Sequence, residues 1–373
     1  MKIVVAIDSF KGSLSSLQAG NAVKTAILRL DPSANVIVRP LADGGEGTVD
    51  ALSEGGELVT VTVCDPLSRP IDAKYCLLPS GTAVMEMAAA AGITLLQDRE
   101  RNPMETTTYG VGQMIAHAIA RGARKFIVGI GGSATNDGGV GMLTALGYEF
   151  LDKNGAPIPL GGKGLRDLYE IRTENALPAL KECEFRIACD VKNPLCGEEG
   201  CSAVYGAQKG ATPQMIRDLD AWLHHYARLS KAISPTADEH HAGAGAAGGL
   251  GFAVLAFLNA TLKSGIDIVL EEISLEKDIQ SADIVVTGEG RLDGQTVMGK
   301  APIGVAKLAK KYGKKVIAFS GCVADGAEAC NEHGIDAFFP ILRNISTLDE
   351  ALAWENATKN LTATAYQVFR LIM

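Results

Sequence analysis

Short β-branched apolar runs alternate along this chain with longer stretches whose apolar residues recur at helical spacing. Residues 2–7, apolar and β-branched after Lys2, predict a buried strand. Residues 14–30 carry Leu17, Val23, Ile27 and Leu30 at helix spacing, and residues 35–40 predict a second strand. Residues 58–64 and 73–78 alternate as strands of a half-exposed sheet do, and the prolines of 65–70 place a turn between them. Residues 106–121 predict a helix, 125–130 a strand and 141–146 the start of another helix. Residues 151–165, rich in glycine and proline, read as a surface excursion, and 184–189 as a strand ending at Asp190. Residues 190–197 read as irregular, 215–233 as an amphipathic helix, and 241–251 as a Gly/Ala segment that permits close backbone approach and flexible packing.

From residue 283 the alternation resumes. Strands are expected at 283–287, 315–320 and 337–340, with helices at 301–311, 326–332 and 348–373. Strands alternating with helices indicate a parallel α/β sheet. The two ends of the chain share this pattern while the centre is more irregular, so both ends are expected to build one domain interrupted by the middle. No internal repeat is evident.

Composition narrows the function. The 373 residues suggest two domains; hydrophobic residues are 47% and charged residues 21%, as in a well-packed enzyme. A net charge of −8, no basic stripe and only 5% aromatics argue against nucleic acid as a partner. No apolar run reaches membrane length, and the run at residues 3–7 is too short for a signal peptide, so a cytoplasmic protein is expected. The eight cysteines contain no C-x-x-C. Cys183, Cys189, Cys196 and Cys201 cluster in sequence, but at no zinc-binding spacing, and read as reduced packing thiols.

The candidate chemistry gathers after predicted strands, where ligands sit in open α/β sheets. The central stretch is Gly131, Gly132, Ser133, Ala134, Thr135, Asn136, Asp137, Gly138 and Gly139. Its glycines let N–H groups face one point, the following helix start favours an anion, and Asp137 offers oxygen ligands to Mg²⁺. A tight glycine-rich βα turn is the competing structural reading. Further clusters are Asp8, Ser9 and Lys11; Asp43 to Glu46; Asp190, Lys192 and Asn193; and Glu289, Arg291 and Asp293. Capping or surface pairing explains any one of them; five at the same kind of position suggest a shared site. The residue types suit phosphoryl transfer: Lys11, Arg69, Lys192 and Arg291 for charge, Asp137, Glu289 and Asp293 for metal, Asp190 as base. Residues 294–300 fit G-x-x-x-x-G-K, but Ala301 stands where Ser or Thr should meet Mg²⁺, so a standard P-loop is rejected. Lys300, opening a helix, remains a phosphate candidate. No G-x-S-x-G elbow, H-E-x-x-H pair or dinucleotide fingerprint is present. His224 and His225 read as solvent-facing.

Taken together, these stretches resemble the type I glycerate kinase family, the bacterial glycerate 2-kinases, over nearly the whole chain. The resemblance rests on residues 8–14, 42–48, 129–146, 188–195, 204–211, 245–251 and 287–302. Ile7 and Ala207 stand where the family often has proline, which removes no polar group. The resemblance implies ATP-dependent phosphorylation of D-glycerate with Mg²⁺, most simply at the 2-hydroxyl. It implies a Rossmann-like parallel-sheet domain (1–79 and 282–373) interrupted by a second, mixed α/β domain (80–281), with the active site in the cleft between them, in a monomer or homodimer. It also implies roles. Asp190 would be the base and Lys11 a catalytic contact. Asp8, Ser9, Asp43, Arg69 and Arg291 would bind substrate. Gly131, Gly132, Ser133, Thr135, Asn136 and Lys300 would bind the nucleotide phosphates, and Asp137, Glu289 and Asp293 the metal. A glycerate 3-kinase, a kinase of another small hydroxy or sugar acid, and a non-catalytic sugar-acid-binding protein are the alternatives.

Overall fold

The computed structural model describes residues 1–42, 47–53 and 55–373. Among these, thirteen strands occur in chain order. They are β1 (Lys2–Val5), β2 (Asn35–Val38), β3 (Glu57–Cys64), β4 (Pro70–Leu77), β5 (Thr82–Glu86), β6 (Lys125–Gly129), β7 (Glu149–Leu151), β8 (Glu170–Arg172), β9 (Glu184–Ala188), β10 (Thr261–Lys263), β11 (Ile284–Leu292), β12 (Lys315–Val323) and β13 (Ala337–Pro340). They form a five-stranded sheet ordered β13-β12-β11-β1-β2, a six-stranded sheet ordered β10-β9-β6-β5-β4-β3, and the hairpin β7-β8. The chain divides into two compact units, one holding residues 1–42 with Ile266–Met373, the other holding Ser53–Gly265.

In the first unit every strand pair is parallel, and β1 lies between β2 and β11, so both chain ends build one sheet. The helix Ser16–Leu30 starts at a capping box, in which the Ser15 and Gln18 side chains each satisfy the other residue's backbone N–H. Its buried stripe is Ala19, Ala22, Val23, Ala26 and Ile27. Leu17, counted in that stripe from sequence, is half exposed instead. A small face is required because the helix lies against β2: a Cβ on Gly20 would sit 2.4 Å from Val38 Cγ1. The expected strand at 283–287 runs on to Leu292, paired with β12 throughout. Its glycines read as loop in sequence but serve close strand approach; a Cβ on Gly288 would meet the Phe319 carbonyl at 2.0 Å. The expected terminal helix breaks at extended Ala353 into Leu348–Leu352 and Trp354–Ile372.

In the second unit β5, β6, β9 and β10 run parallel, and β3 and β4 join antiparallel at one side. This places residues 57–77, assigned from sequence to the domain of the chain ends, in the other sheet. Residues 57–77 and 266–281 accordingly belong to the other unit from the one expected. The physical reason is pairing: β4 finds its partner in β5, through Cys76–Val84 and Leu77–Ala83. The core stacks Phe126 on Phe185 with ring centroids 4.7 Å apart and sets Tyr226 edge-on to Phe252. The 151–165 excursion is only partly external, since Leu165 is buried in this core. No helix among the described residues is long and apolar enough to cross a membrane.

Candidate functional site

The polar residues singled out from sequence are divided between the two units, apart from Asp43 and Glu46, which lie outside the described residues.

In the second unit, β6 ends at Gly129 and the chain turns through residues 130–139 into the helix Val140–Ala145. Gly131 and Gly132 are exposed, whereas Ser133, Thr135, Asn136 and Asp137 are buried. The turn closes with Gly138 and Gly139 at φ 65° and 73°, a region that side chains resist. Asp137, expected as a metal ligand, is sealed and engaged. Its carboxylate accepts from the Thr108 N–H at 2.8 Å and hydroxyl at 2.9 Å, the Thr107 hydroxyl at 3.3 Å, and the N–H groups of Gly139 and Gly141 at 3.1 and 3.3 Å. Burial nevertheless pushes its pKa above the ordinary carboxylate value. It presents no ligand atom at the surface and acts as the staple of this turn.

Sequence reasoning passed over the residue that holds the front of the turn. Lys209, only 3% exposed, donates from Nζ to Ser133 Oγ at 2.8 Å and to the Thr135 carbonyl at 2.7 Å. Burial depresses its pKa to about 8. It lies in the Gln208–Ala211 motif, but on a short turn rather than at a strand end, so position gave no reason to select it. A lysine isolated among small residues was the available signal. Nearby, Asn136 Nδ2 donates to Ser202 Oγ at 2.7 Å, while Asn136 Oδ1 and Thr135 Oγ1 are buried with no partner. Both atoms are sealed from solvent, unlike the exposed Gly131 and Gly132 of the same turn.

Three strand ends share this edge of the sheet: β6 before the turn, β9 before Asp190 and β10 before Gly265. Asp190 is exposed, and its Oδ1 accepts from the Gly265 N–H at 3.1 Å. Arg69, expected as a carboxylate clamp, is already committed. Its Nε lies 2.6 Å from Asp65 Oδ2 and its Nη1 2.7 Å from Glu100 Oε1. Asp65 also accepts the N–H groups of Leu67 and Arg69, so this arginine braces the β3–β4 turn. The Gly/Ala segment, expected to pack flexibly, is rigidly placed. Ala247, Gly248 and Gly249 form a left-handed run, and a Cβ on Gly248 would stand 2.0 Å from the Thr135 carbonyl. His225, read as solvent-facing, is half-buried with Nε2 2.9 Å from the Leu168 carbonyl oxygen.

In the first unit, β1 continues its ladder as the Asp8 N–H donates to the Gly288 carbonyl at 2.9 Å. Asp8 is buried and its Oδ1 accepts from the Ser9 N–H at 2.6 Å; Lys11 is exposed. The Phe10–Lys11 backbone passes so near β11 that a Cβ on Gly290 would be 3.4 Å from both. At the end of β11, Glu289 and Asp293 converge on one ammonium, with Lys300 Nζ 3.6 Å from Glu289 Oε2 and 3.7 Å from Asp293 Oδ1. The Thr296 hydroxyl donates to Glu289 Oε1 at 2.8 Å. Arg291 Nε stands 3.4 Å from Asp293 Oδ2, with most of its side chain exposed. Burial pushes the Glu289 pKa up. At Asp293 partial burial acts in the same sense but is outweighed by the Gln295 N–H and the Lys300 and Arg291 charges, and its pKa falls. Two carboxylates around a single cation position, one already desolvated, form an oxygen donor set that suits a hard divalent ion.

Largely parallel sheets that carry at their strand ends a glycine-rich turn, braced by a buried lysine, and a carboxylate–ammonium cluster are an α/β architecture suited to phosphorylated ligands. Comparison makes the class specific. The family model described as "Glycerate kinase family" matches residues 3–373. A protein named Glycerate kinase from Haemophilus influenzae is 45% identical over 375 residues, covering 100% of this chain and 99% of that one. A protein named Glycerate 2-kinase from Escherichia coli K12 is 46% identical, covering 98% of each chain. The crystal structure of a provisionally assigned glycerate kinase 2 from Salmonella typhimurium LT2 superposes with a TM-score of 0.92 at 45% identity, covering 100% of this chain and 98% of that one. The chain belongs to the glycerate kinase family and is a kinase.

Proposed function

We propose that this enzyme transfers the γ-phosphoryl group of ATP to the 2-hydroxyl of D-glycerate, giving 2-phospho-D-glycerate and ADP. The observation that carries the reading is family membership across the full chain, together with one phosphate-suited cluster in each unit. Gly131 and Gly132, exposed, and Ser133 receive nucleotide phosphate oxygens through backbone N–H and hydroxyl groups, while the buried Thr135 and Asn136 shape the turn. Lys209 keeps Ser133 and Thr135 in register. Asp190, exposed at the end of β9, accepts the hydroxyl proton.

Glu289 and Asp293 would hold Mg²⁺, with Lys300 beside them as a further phosphate contact. When bound, the ion supplies charge neutralisation on the transferring phosphoryl group. Arg291 is the carboxylate clamp of this reading, since its guanidinium is exposed while Arg69 is engaged by Asp65 and Glu100. Asp8, Ser9 and Lys11 complete the glycerate contacts. The enzyme works in the cytoplasm on these two small molecules.

The test is ADP release with D-glycerate, followed by ³¹P and ¹H NMR of the product. The 2-phosphate is expected; 3-phosphoglycerate overturns the regiochemistry, and no ADP release overturns the substrate. Asp190→Asn is expected to lower kcat by about two orders of magnitude in a folded protein. Near-parental turnover removes Asp190 from the base role.

A further inference from the structure

Outside these clusters, three side chains that share no sequence motif meet on the second unit. Cys196 follows the loop after β9, His224 stands on the helix Pro213–Lys231, and Glu239 lies beyond that helix. One ligand atom from each lies within 4.8 Å of the others. We propose that Cys196, His224 and Glu239 form a site for a zinc-type transition-metal ion. It clasps the loop that begins at Asp190 to the helix Pro213–Lys231.

The position of Cys196 is fixed by its neighbours. The Leu195 N–H donates to the Glu239 carbonyl at 2.8 Å, and the Gly197 N–H donates to Asp220 Oδ1 at 2.9 Å. Asp220 precedes His224 by one helical turn, so the two side chains share a face. The Gly245 N–H donates to the Asn193 carbonyl at 3.0 Å, holding the loop at its other end. Two of the three ligand-bearing segments are therefore joined by backbone, and the third is anchored by Asp220. Without metal, His224 Nδ1 and Glu239 Oε2 lie 2.6 Å apart and share a proton. Entry of an ion at bond lengths near 2.0–2.3 Å displaces that proton and the thiol proton and needs side-chain rotation alone. His240 Nε2, 3.9 Å from Glu239 Oε1, or a water fills the fourth position of a tetrahedron.

One sulfur, one imidazole and one carboxylate are a borderline-soft set that selects Zn²⁺ or Co²⁺ over Mg²⁺. A redox role for the thiol is disfavoured, because burial and the carboxylates of Asp220 and Glu239 hold the Cys196 pKa well above the ordinary thiol value. No sequence pattern could find the site, since its ligands are spread over residues 196–239 on a loop, a helix and a turn.

The experiment is titration of the chelator-treated full chain with Zn²⁺ against a chromophoric chelator, in millimolar Mg²⁺, and with Co²⁺ followed by absorption. One equivalent of Zn²⁺, a raised unfolding midpoint and a thiolate-to-Co²⁺ charge-transfer band are expected. Cys196→Ser should abolish the band. His224→Gln, at a largely exposed position that tolerates substitution, should weaken Zn²⁺ by about 100-fold. Cys183→Ser should change neither. Absence of stoichiometric binding, or binding that survives both ligand substitutions, overturns the proposal.

Discussion

Replacing Lys209 by methionine separates the charge of this buried side chain from its shape. With a folded-state pKa of about 8 against an ordinary 10.5, the ammonium is less favourable in the fold than in the unfolded chain. At about 1.4 kcal/mol for each tenfold change in the proton equilibrium, that penalty is about 3 kcal/mol at pH 7. It is fully present below the folded pKa and disappears as pH rises toward the unfolded value, because there the unfolded chain binds more protons than the folded one. Methionine removes the penalty but leaves Ser133 Oγ and the Thr135 carbonyl without their donor, a loss of about 1–3 kcal/mol. The two nearly cancel at pH 7. Between pH 7 and 9.5 the parent should then gain about 2 kcal/mol relative to Lys209→Met. Denaturant unfolding of both proteins across that range, with equal m-values, measures the difference, and cysteine and tyrosine titrations common to both drop out. A difference that stays flat refutes a buried, charged Lys209 and with it the account of how the turn is held.

Other substitutions probe the same assembly. Gly248→Ala places a methyl where the Thr135 carbonyl stands and forces φ of +68° on an L side chain; a loss of about 3 kcal/mol or more by denaturant unfolding is expected, with weakened ATP binding by calorimetry. A stability within about 0.5 kcal/mol of the parent, the scatter of neutral changes, would contradict that packing. Asp137→Asn turns amide hydrogens toward N–H and hydroxyl donors and should lower stability by about 3 kcal/mol without restoring any metal-dependent behaviour on titration with Mg²⁺. Stability left intact by that change would return Asp137 to the list of ligand candidates.

The layers of the fold were largely readable because apolar periodicity reports one-sided burial. The helix at residues 301–311 and the strand at 337–340 match expectation residue for residue. Errors arose where glycine carries two meanings. In residues 288–292 it marked a loop, whereas β11 continues there because close approach to Phe319 excludes a side chain. In residues 245–251 it allowed both close approach and slack, and the structure takes the first: Gly245, Gly248 and Gly251 each sit against a carbonyl oxygen and Gly249 against the Gly138 backbone. The domain limit at 79 failed for another reason: hydropathy says that β3 and β4 are strands but not which sheet accepts them. For the site, residue type and strand-end position found the β6 turn and the β11 cluster. They could not distinguish a carboxylate offered to a ligand from one spent on the chain itself, as Asp137 and Arg69's partner Asp65 are. Nor could they find Lys209, whose importance comes from what it touches rather than where it falls in the sequence.

The two ends of the chain, β1–β2 and β11–β13, share one sheet, and that arrangement sets an order on biosynthesis. β1 and β2 leave the ribosome first, but the neighbour on the other side of β1 is β11, which begins 279 residues after β1 ends. At ribosomal speeds of 5–20 residues per second the nascent β1 edge waits roughly 14–56 s for its partner. Over that interval the unit spanning Ser53–Gly265 is complete and free to fold, while the apolar β1–β2 pair is exposed to chaperones and to other nascent chains. Expression at reduced temperature or with added chaperone should therefore act on the amino-terminal strands first.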